Sequence, residues 1–200
     1  MPKIHPSETK NAKWQPTARK TTTAWTVWKK SSMSFAGTDG FSVYDRQGRL
    51  AFRVDNYSRK NKFLIGELLL TDSIGKPLLS LQPRVLSLRD RWRAYIEVEE
   101  STKFHLFDMR RPSFVQSGLE IAEVFMGRAG GGGADYIIKG CFKKRCCTVR
   151  GRDGEILATI SPKKASPTVV LGEDVFELLL EPGVSTELLV SFIVAMDRIC

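Results

Sequence analysis

The segment that most constrains how this chain can fold is ELLVSFIVAMDRIC, running from Glu187 to Cys200. Between Leu188 and Met196 only Ser191 offers a polar side chain, so a helix here has no face to present to water. The Pro182-Gly183 turn, a capping Ser185 or Thr186 and the acidic Glu187 signal a helix start and predict a helix over Glu187 to Ile199. Its uninterrupted apolar stretch falls far below the roughly 20 residues a bilayer crossing needs, which excludes a membrane span. Such a helix must be surrounded by protein, with Leu188, Leu189, Phe192, Ile193 and Met196 as its predicted buried residues.

What surrounds it is legible upstream. Short β-branched or aromatic runs broken by turn residues follow one another: Trp25 to Trp28, Phe41 to Tyr44, Leu50 to Val54, Leu64 to Leu70, Leu78 to Leu81, Ala94 to Val98 and Phe104 to Phe107. The second half continues with Ile121 to Phe125, Tyr136 to Lys139, Cys146 to Val149, Ile156 to Ile160, Val169-Val170 and Val175 to Leu180. About a dozen antiparallel strands must stack as two sheets or close into a barrel, and a barrel of that size leaves a lumen wider than strand side chains fill. The predicted fold class is therefore mainly β: an antiparallel β-barrel of about twelve strands enclosing the hydrophobic C-terminal α-helix.

A repeat lies within the pattern. FSVYDRQGRLAFRV, LLLTDSIGKPLLSL and CTVRGRDGEILATI each give a strand, a short turn with Gly48, Gly75 or Gly154 at the matching place, and a second strand. Asp45 and Asp72 stand three residues before their glycines, whereas the third copy has Gly151 there. One carboxylate per turn supplies too few oxygens for calcium, so plain hairpins are expected.

The formal charge of +9 is uneven: residues 1–100 hold 18 Lys+Arg against 10 Asp+Glu, and residues 101–200 hold 13 against 12. An anionic partner is expected to meet mainly the first half. Residues 1–23 are polar and without periodicity and read as a flexible basic tail, leaving 24–200 as the folded domain. Cys141, Cys146, Cys147 and Cys200 form no C-x-x-C, and no apolar N-terminal leader is present, which fits a reducing intracellular compartment and free thiols. Cys146 and Cys147, beside three basic residues, fit either palmitoylation or unmodified buried or solvent-facing thiols.

Three stretches carry a resemblance: GFSVYDRQGRLAFRVDNY (Gly40 to Tyr57), DSIGKPLLSLQPRVLSLRDRWRAY (Asp72 to Tyr95) and LGEDVFELLLEPGVSTELLVSFIVAMDRIC (Leu171 to Cys200). Together, and in this order, they resemble plant LURP-one-related proteins over about Trp25 to Cys200. The resemblance implies a fold similar to the tubby C-terminal domain and the phospholipid scramblases, a twelve-stranded barrel around a buried C-terminal helix. It also implies roles known in those relatives: phosphoinositide binding at the plasma membrane, movement to the nucleus, membrane tethering, and plant defence. The lipid-contacting basic pair of tubby cannot be placed on particular residues here.

For chemistry of its own the chain offers little. His5 and His105 are its histidines, and His105 has Asp108 three residues on, too few partners for a hydrolytic triad or a zinc site. GRAGGGGAD, Gly127 to Asp135, lacks the Gly-Lys-Ser/Thr ending of a phosphate loop and reads as a hairpin loop. No enzyme activity, metal or cofactor is expected.

SLRDRWRAY is more telling. On a strand, Arg89, Arg91 and Arg93 project from one face and Leu88 and Trp92 from the other. That guanidinium row suits a phosphate or lipid headgroup, or else forms ion pairs with carboxylates on neighbouring strands. Arg59, Lys60 and Lys62, and Lys143, Lys144 and Arg145, are candidate extensions of the same site. Ser161-Pro162 and Ser166-Pro167 flank Lys163 and Lys164, where phosphorylation would lower the local positive charge. The expectation is a non-enzymatic monomer, cytoplasmic and peripheral at the plasma membrane or nuclear, with anionic phospholipid or phosphoinositide headgroups as partners. A nucleic-acid-binding transcription regulator and a scramblase-like lipid-binding protein are the alternatives.

Overall fold

The computed structural model describes residues 21–30, 40–56, 67–84, 91–99, 102–112, 119–127 and 132–200. Its strands are β1 (Thr23–Lys30), β2 (Gly40–Tyr44), β3 (Leu50–Asn56), β4 (Leu68–Asp72), β5 (Pro77–Pro83), β6 (Arg91–Glu99) and β7 (Thr102–Arg110). They continue with β8 (Glu120–Met126), β9 (Tyr136–Cys141), β10 (Cys146–Gly151), β11 (Ile156–Pro162), β12 (Lys164–Ser166), β13 (Val169–Val170) and β14 (Val175–Leu180), followed by the helix α1 (Thr186–Ile199). Neighbours in sequence pair antiparallel from β1 to β11, and β14 bridges β11 to β1, closing the barrel. The closing register runs from Thr23 opposite Leu180 to Trp28 opposite Val175.

The mainly β barrel around a C-terminal helix agrees with the sequence expectation. Each apolar run lies in a strand, although β4 begins only at Leu68 and residues 64–66 lie outside those described. The strand β12 was not foreseen. KAS has no apolar pattern, and it is a strand only because the chain turns at Pro167 and pairs Lys164 with Val170.

Alternation explains the core. Phe107, Phe176, Leu70, Leu81, Met109 and Leu178 point inward and are fully buried. Down the lumen runs α1, capped by Ser185, whose hydroxyl accepts from the Leu188 amide at 3.2 Å. Every residue from Leu189 to Met196 is buried, which answers the all-round apolar sequence; Leu188, at the entry, is only half-buried. Phe192 meets Phe107 and Tyr136 edge-on, with ring centroids 5.0 and 5.3 Å away. Ser191, with no water to turn to, donates to the Leu188 carbonyl at 2.5 Å.

The three repeats are one turn used three times. In each, an amide at the glycine donates three residues back (Gly48 to Asp45, Gly75 to Asp72, Gly154 to Gly151), and the glycine has φ of 76°, 89° or 82°. A bulge follows, the pattern of a type I turn closed by a left-handed glycine. Asp45 Oδ1 accepts from the amides of Gln47 and Arg49 at 2.8 and 2.9 Å, and the Arg49 amide above all holds its carboxyl below the usual range. The third copy has Gly151 in place of the aspartate and forms the same turn without a side-chain acceptor at that position.

Candidate functional site: a basic groove on the outer wall

On β6 and β7 the two-residue period sends Trp92, Ala94, Phe107 and Met109 into the core and leaves their neighbours outside. Arg91 and Arg93 thus share the outer face with Trp92 opposed, as the sequence predicts; Arg89 lies outside the described residues. Arg93 pairs across the ladder with Asp108, Arg91 with Arg110 and, past a bulge at Leu106, Tyr95 with His105. Between these side chains lies a groove of about 730 Å³. Arg84, Arg91, Arg93 and Lys103 give it four cations against the single carboxylate of Asp108, and Tyr95, Phe104 and His105 complete the lining.

Some of this charge is matched. Arg93 Nε donates to Asp108 Oδ1 at 3.1 Å, and hydrogen bonding with Tyr95 and then Asp108 raises the Arg93 pKa. Lys103 Nζ donates to Glu67 at 2.7 Å. Burial opposes the charged form of Glu67, but the polar groups around it, the Lys103 ammonium first among them, outweigh it and hold the carboxyl below its usual value. Next to the groove, Arg110 is bound to Glu123 at 2.9 Å and lies 4.3 Å over the Phe125 ring. The ion-pair alternative weighed from the sequence therefore describes Arg93 and Arg110.

It does not describe Arg84 and Arg91. Neither has a carboxylate partner among the described residues, and Arg91 Nε is buried without a hydrogen bond. His105 Nε2 lies 3.3 Å from Asp108 Oδ2, but neither ring nitrogen makes a hydrogen bond. Free donors on a rigid sheet are what an anion with several oxygens can use, with Arg in the geometry that grips phosphate. Sequence reasoning missed Arg84, Tyr95, Lys103 and Phe104 as parts of the site. Carrying the two-residue period across the β6–β7 turn would have placed Lys103 and His105 beside the arginines.

The other proposed basic clusters do not join this groove. Arg59, Lys60 and Lys62 lie outside the described residues. Lys143 and Lys144 are exposed on the β9–β10 turn, separated from the groove by β8. Arg145 does not share their exposure and is corrected from a surface ligand to a structural residue. Its guanidinium is buried 4.4 Å from both the Phe142 and Phe176 rings, and Nε donates to the Glu173 carbonyl at 2.9 Å. Burial pulls its pKa down, while Asp197, Asp174 and Glu173 act in the other direction. The four cysteines are free thiols: Cys141 and Cys146 exposed, Cys200 half-buried and Cys147 buried.

A closed antiparallel barrel threaded by its own C-terminal helix, with a basic groove on its wall, defines the class of protein. The chain belongs to the LURP-one-related family, whose model matches residues 23–197. Arabidopsis thaliana LURP-one-related 5 is 35% identical over 176 residues, 86% of this chain and 80% of that protein. LURP-one-related 12 of the same plant is 33% identical over 174 residues, 85% of this chain and 75% of its own. The X-ray structure of an Arabidopsis thaliana protein shares the fold with a TM-score of 0.62 at 19% identity, over 90% of this chain and 91% of that one. Among the described residues no helix is long and apolar enough to cross a membrane, and no three His, Cys, Asp or Glu side chains group to hold a metal ion.

Proposed function

We propose that this protein is a non-enzymatic docking barrel that holds the phosphate of an anionic lipid headgroup, a phosphoinositide above all, in the β6–β7 groove. The observation that carries this reading is the lining of four cations and one carboxylate, with Arg84 and Arg91 lacking a carboxylate partner among the described residues. Arg offers paired donors to phosphate oxygens, and a rigid sheet holds them without loss of order on binding. The reading needs no second copy of the chain, and a monomer is the proposed form. A tethered barrel of this kind would act at the cytoplasmic face of the plasma membrane and, once released, elsewhere in the cell, including the nucleus; a part in defence signalling rests on the family resemblance alone.

Sedimentation with vesicles containing or lacking a phosphoinositide tests the reading, repeated with Arg84→Glu/Arg91→Glu. Binding that ignores both the lipid and the substitutions would sink it. A second reading, single-stranded nucleic acid, is favoured by one observation: Tyr95 and the 57% exposed Phe104 stand among the cations as stacking platforms. Steep salt dependence with an oligonucleotide and indifference to lipid would promote it.

A further inference from the structure

Antiparallel closure sorts the connections into two rims. Turns β2–β3, β4–β5 and β10–β11 lie at the rim where α1 begins; β9–β10 and the excursion from β11 to β14 lie at the rim where it ends. That excursion, which holds β12 and β13, leaves the barrel as a separate two-stranded arm. Every residue from Lys164 to Asp174 is exposed, among them the consecutive Val169 (51%), Val170 (55%) and Leu171 (39%). A run of branched apolar side chains on a free hairpin is costly in water unless something covers it.

The surroundings of the arm say what covers it. Its base is fixed by backbone acceptors: Arg145 Nε donates to the Glu173 carbonyl, and the Lys29 amide to the Asp174 carbonyl at 2.8 Å. The clamp brings the arm beside the turn that carries Lys143 and Lys144. These two, with Lys164 on the arm, are exposed and have no carboxylate partner among the described residues, whereas Lys163 is bound to Glu177 and Lys29 to Asp197. Glu173 and Asp174, exposed at the base of the arm, act on the Arg145 guanidinium. Apolar residues along the returning strand of an exposed arm, with lysines around it that have no carboxylate partner among the described residues, match the layered chemistry of an anionic leaflet, where acyl chains lie beneath charged headgroups. Nucleic acid offers no apolar layer for Val169 to Leu171.

We propose that the barrel docks end-on, with the rim where α1 ends facing an anionic bilayer and the β12–β13 arm entering its interface. This deepens the headgroup reading and rests on it for the membrane, but it uses different residues. The test compares vesicles of phosphatidylcholine with and without phosphatidylserine and phosphoinositide. Val169→Asp/Val170→Asp, on side chains already in water, is expected to leave the thermal midpoint unchanged and to weaken binding on the order of tenfold or more. Lys143→Glu/Lys144→Glu is expected to weaken it on the anionic vesicles and not on phosphatidylcholine alone. Ile74→Asp, on the opposite rim and 86% exposed, is expected to change nothing.

Direct entry is read from Val170→Trp, whose added emission should shift to the blue on vesicles and be quenched by brominated acyl chains. Unshifted, unquenched emission while the protein is bound overturns the arm's role, and so does an Ile74→Asp loss equal to that of the arm variant. If the arm variants lose binding and Arg84→Glu/Arg91→Glu does not, the groove reading fails and the end-on orientation stands. The reverse result overturns the orientation and leaves the groove. Failure of the wild type to bind any of these vesicles overturns both.

Discussion

The two rims of the barrel solve opposite problems. Where α1 begins, the chain turns back three times through one tight hairpin, with left-handed Gly48, Gly75 and Gly154 and with carboxylates satisfying the turn amides at Asp45 and Asp72. In these three turns the glycines and the turn hydrogen bonds serve to return the chain. Where α1 ends, the β9–β10 turn is held by Arg145 in the left-handed region at φ 51°, a conformation a non-glycine residue adopts reluctantly, and an apolar arm stands in solvent. The one non-glycine residue with positive φ among those described and the run of three consecutive exposed apolar residues lie at the same end, whereas the turns at the other expose apolar side chains singly, as at Ile74.

The severest way to break the contrast is to remove what both rims share. Phe192→Asp or Ile193→Asp puts an unpaired charge in a dry lumen and should cost several kcal/mol, seen as loss of the cooperative thermal transition. A variant that stays folded with unchanged stability would mean that the helix is not the core. Next comes Gly140→Ala at the arm rim, where φ is 118° and a Cβ would overlap the Cys146 carbonyl oxygen; a loss of about 1 to 3 kcal/mol is expected in urea melts. Gly48→Ala at the hairpin rim meets open space and suffers only from its φ, so its cost should be about 1 kcal/mol, with vesicle binding untouched. The smallest effect is chemical. Cys141 and Cys146 should react promptly with a thiol reagent at neutral pH, while Cys147, buried and pushed up to about 12, should react only on unfolding.

The barrel was legible because its signals are local. Alternation, turn glycines and an apolar segment too short for a bilayer each leave a mark within a few residues, and the helix bounds from cap chemistry came within one residue of Thr186–Ile199. The site was less so. Arg91 and Arg93 could be put on one face from spacing alone, but that Asp108 pairs with Arg93 and not with Arg91 depends on cross-strand register. Arg145 misled for a related reason: a third basic letter after two exposed lysines looks like more of the same. Its left-handed backbone carries its side chain between two rings instead. The arm was seen only as Val169-Val170, since a strand without apolar residues, such as Lys164–Ser166, declares itself only through its partner.

Placing the helix after every strand it fills has a consequence for synthesis. The first strand pairs with the last, Thr23 opposite Leu180, and the lumen has no filling until the chain beyond Ser185 has been made. Every strand therefore leaves the ribosome with its inner, apolar face unmatched, and no partial product carries the native core. Contacts this distant in sequence form slowly. A nascent chain of this kind waits, exposed, for its own centre, and should lean on chaperones in proportion to how slowly its translation proceeds.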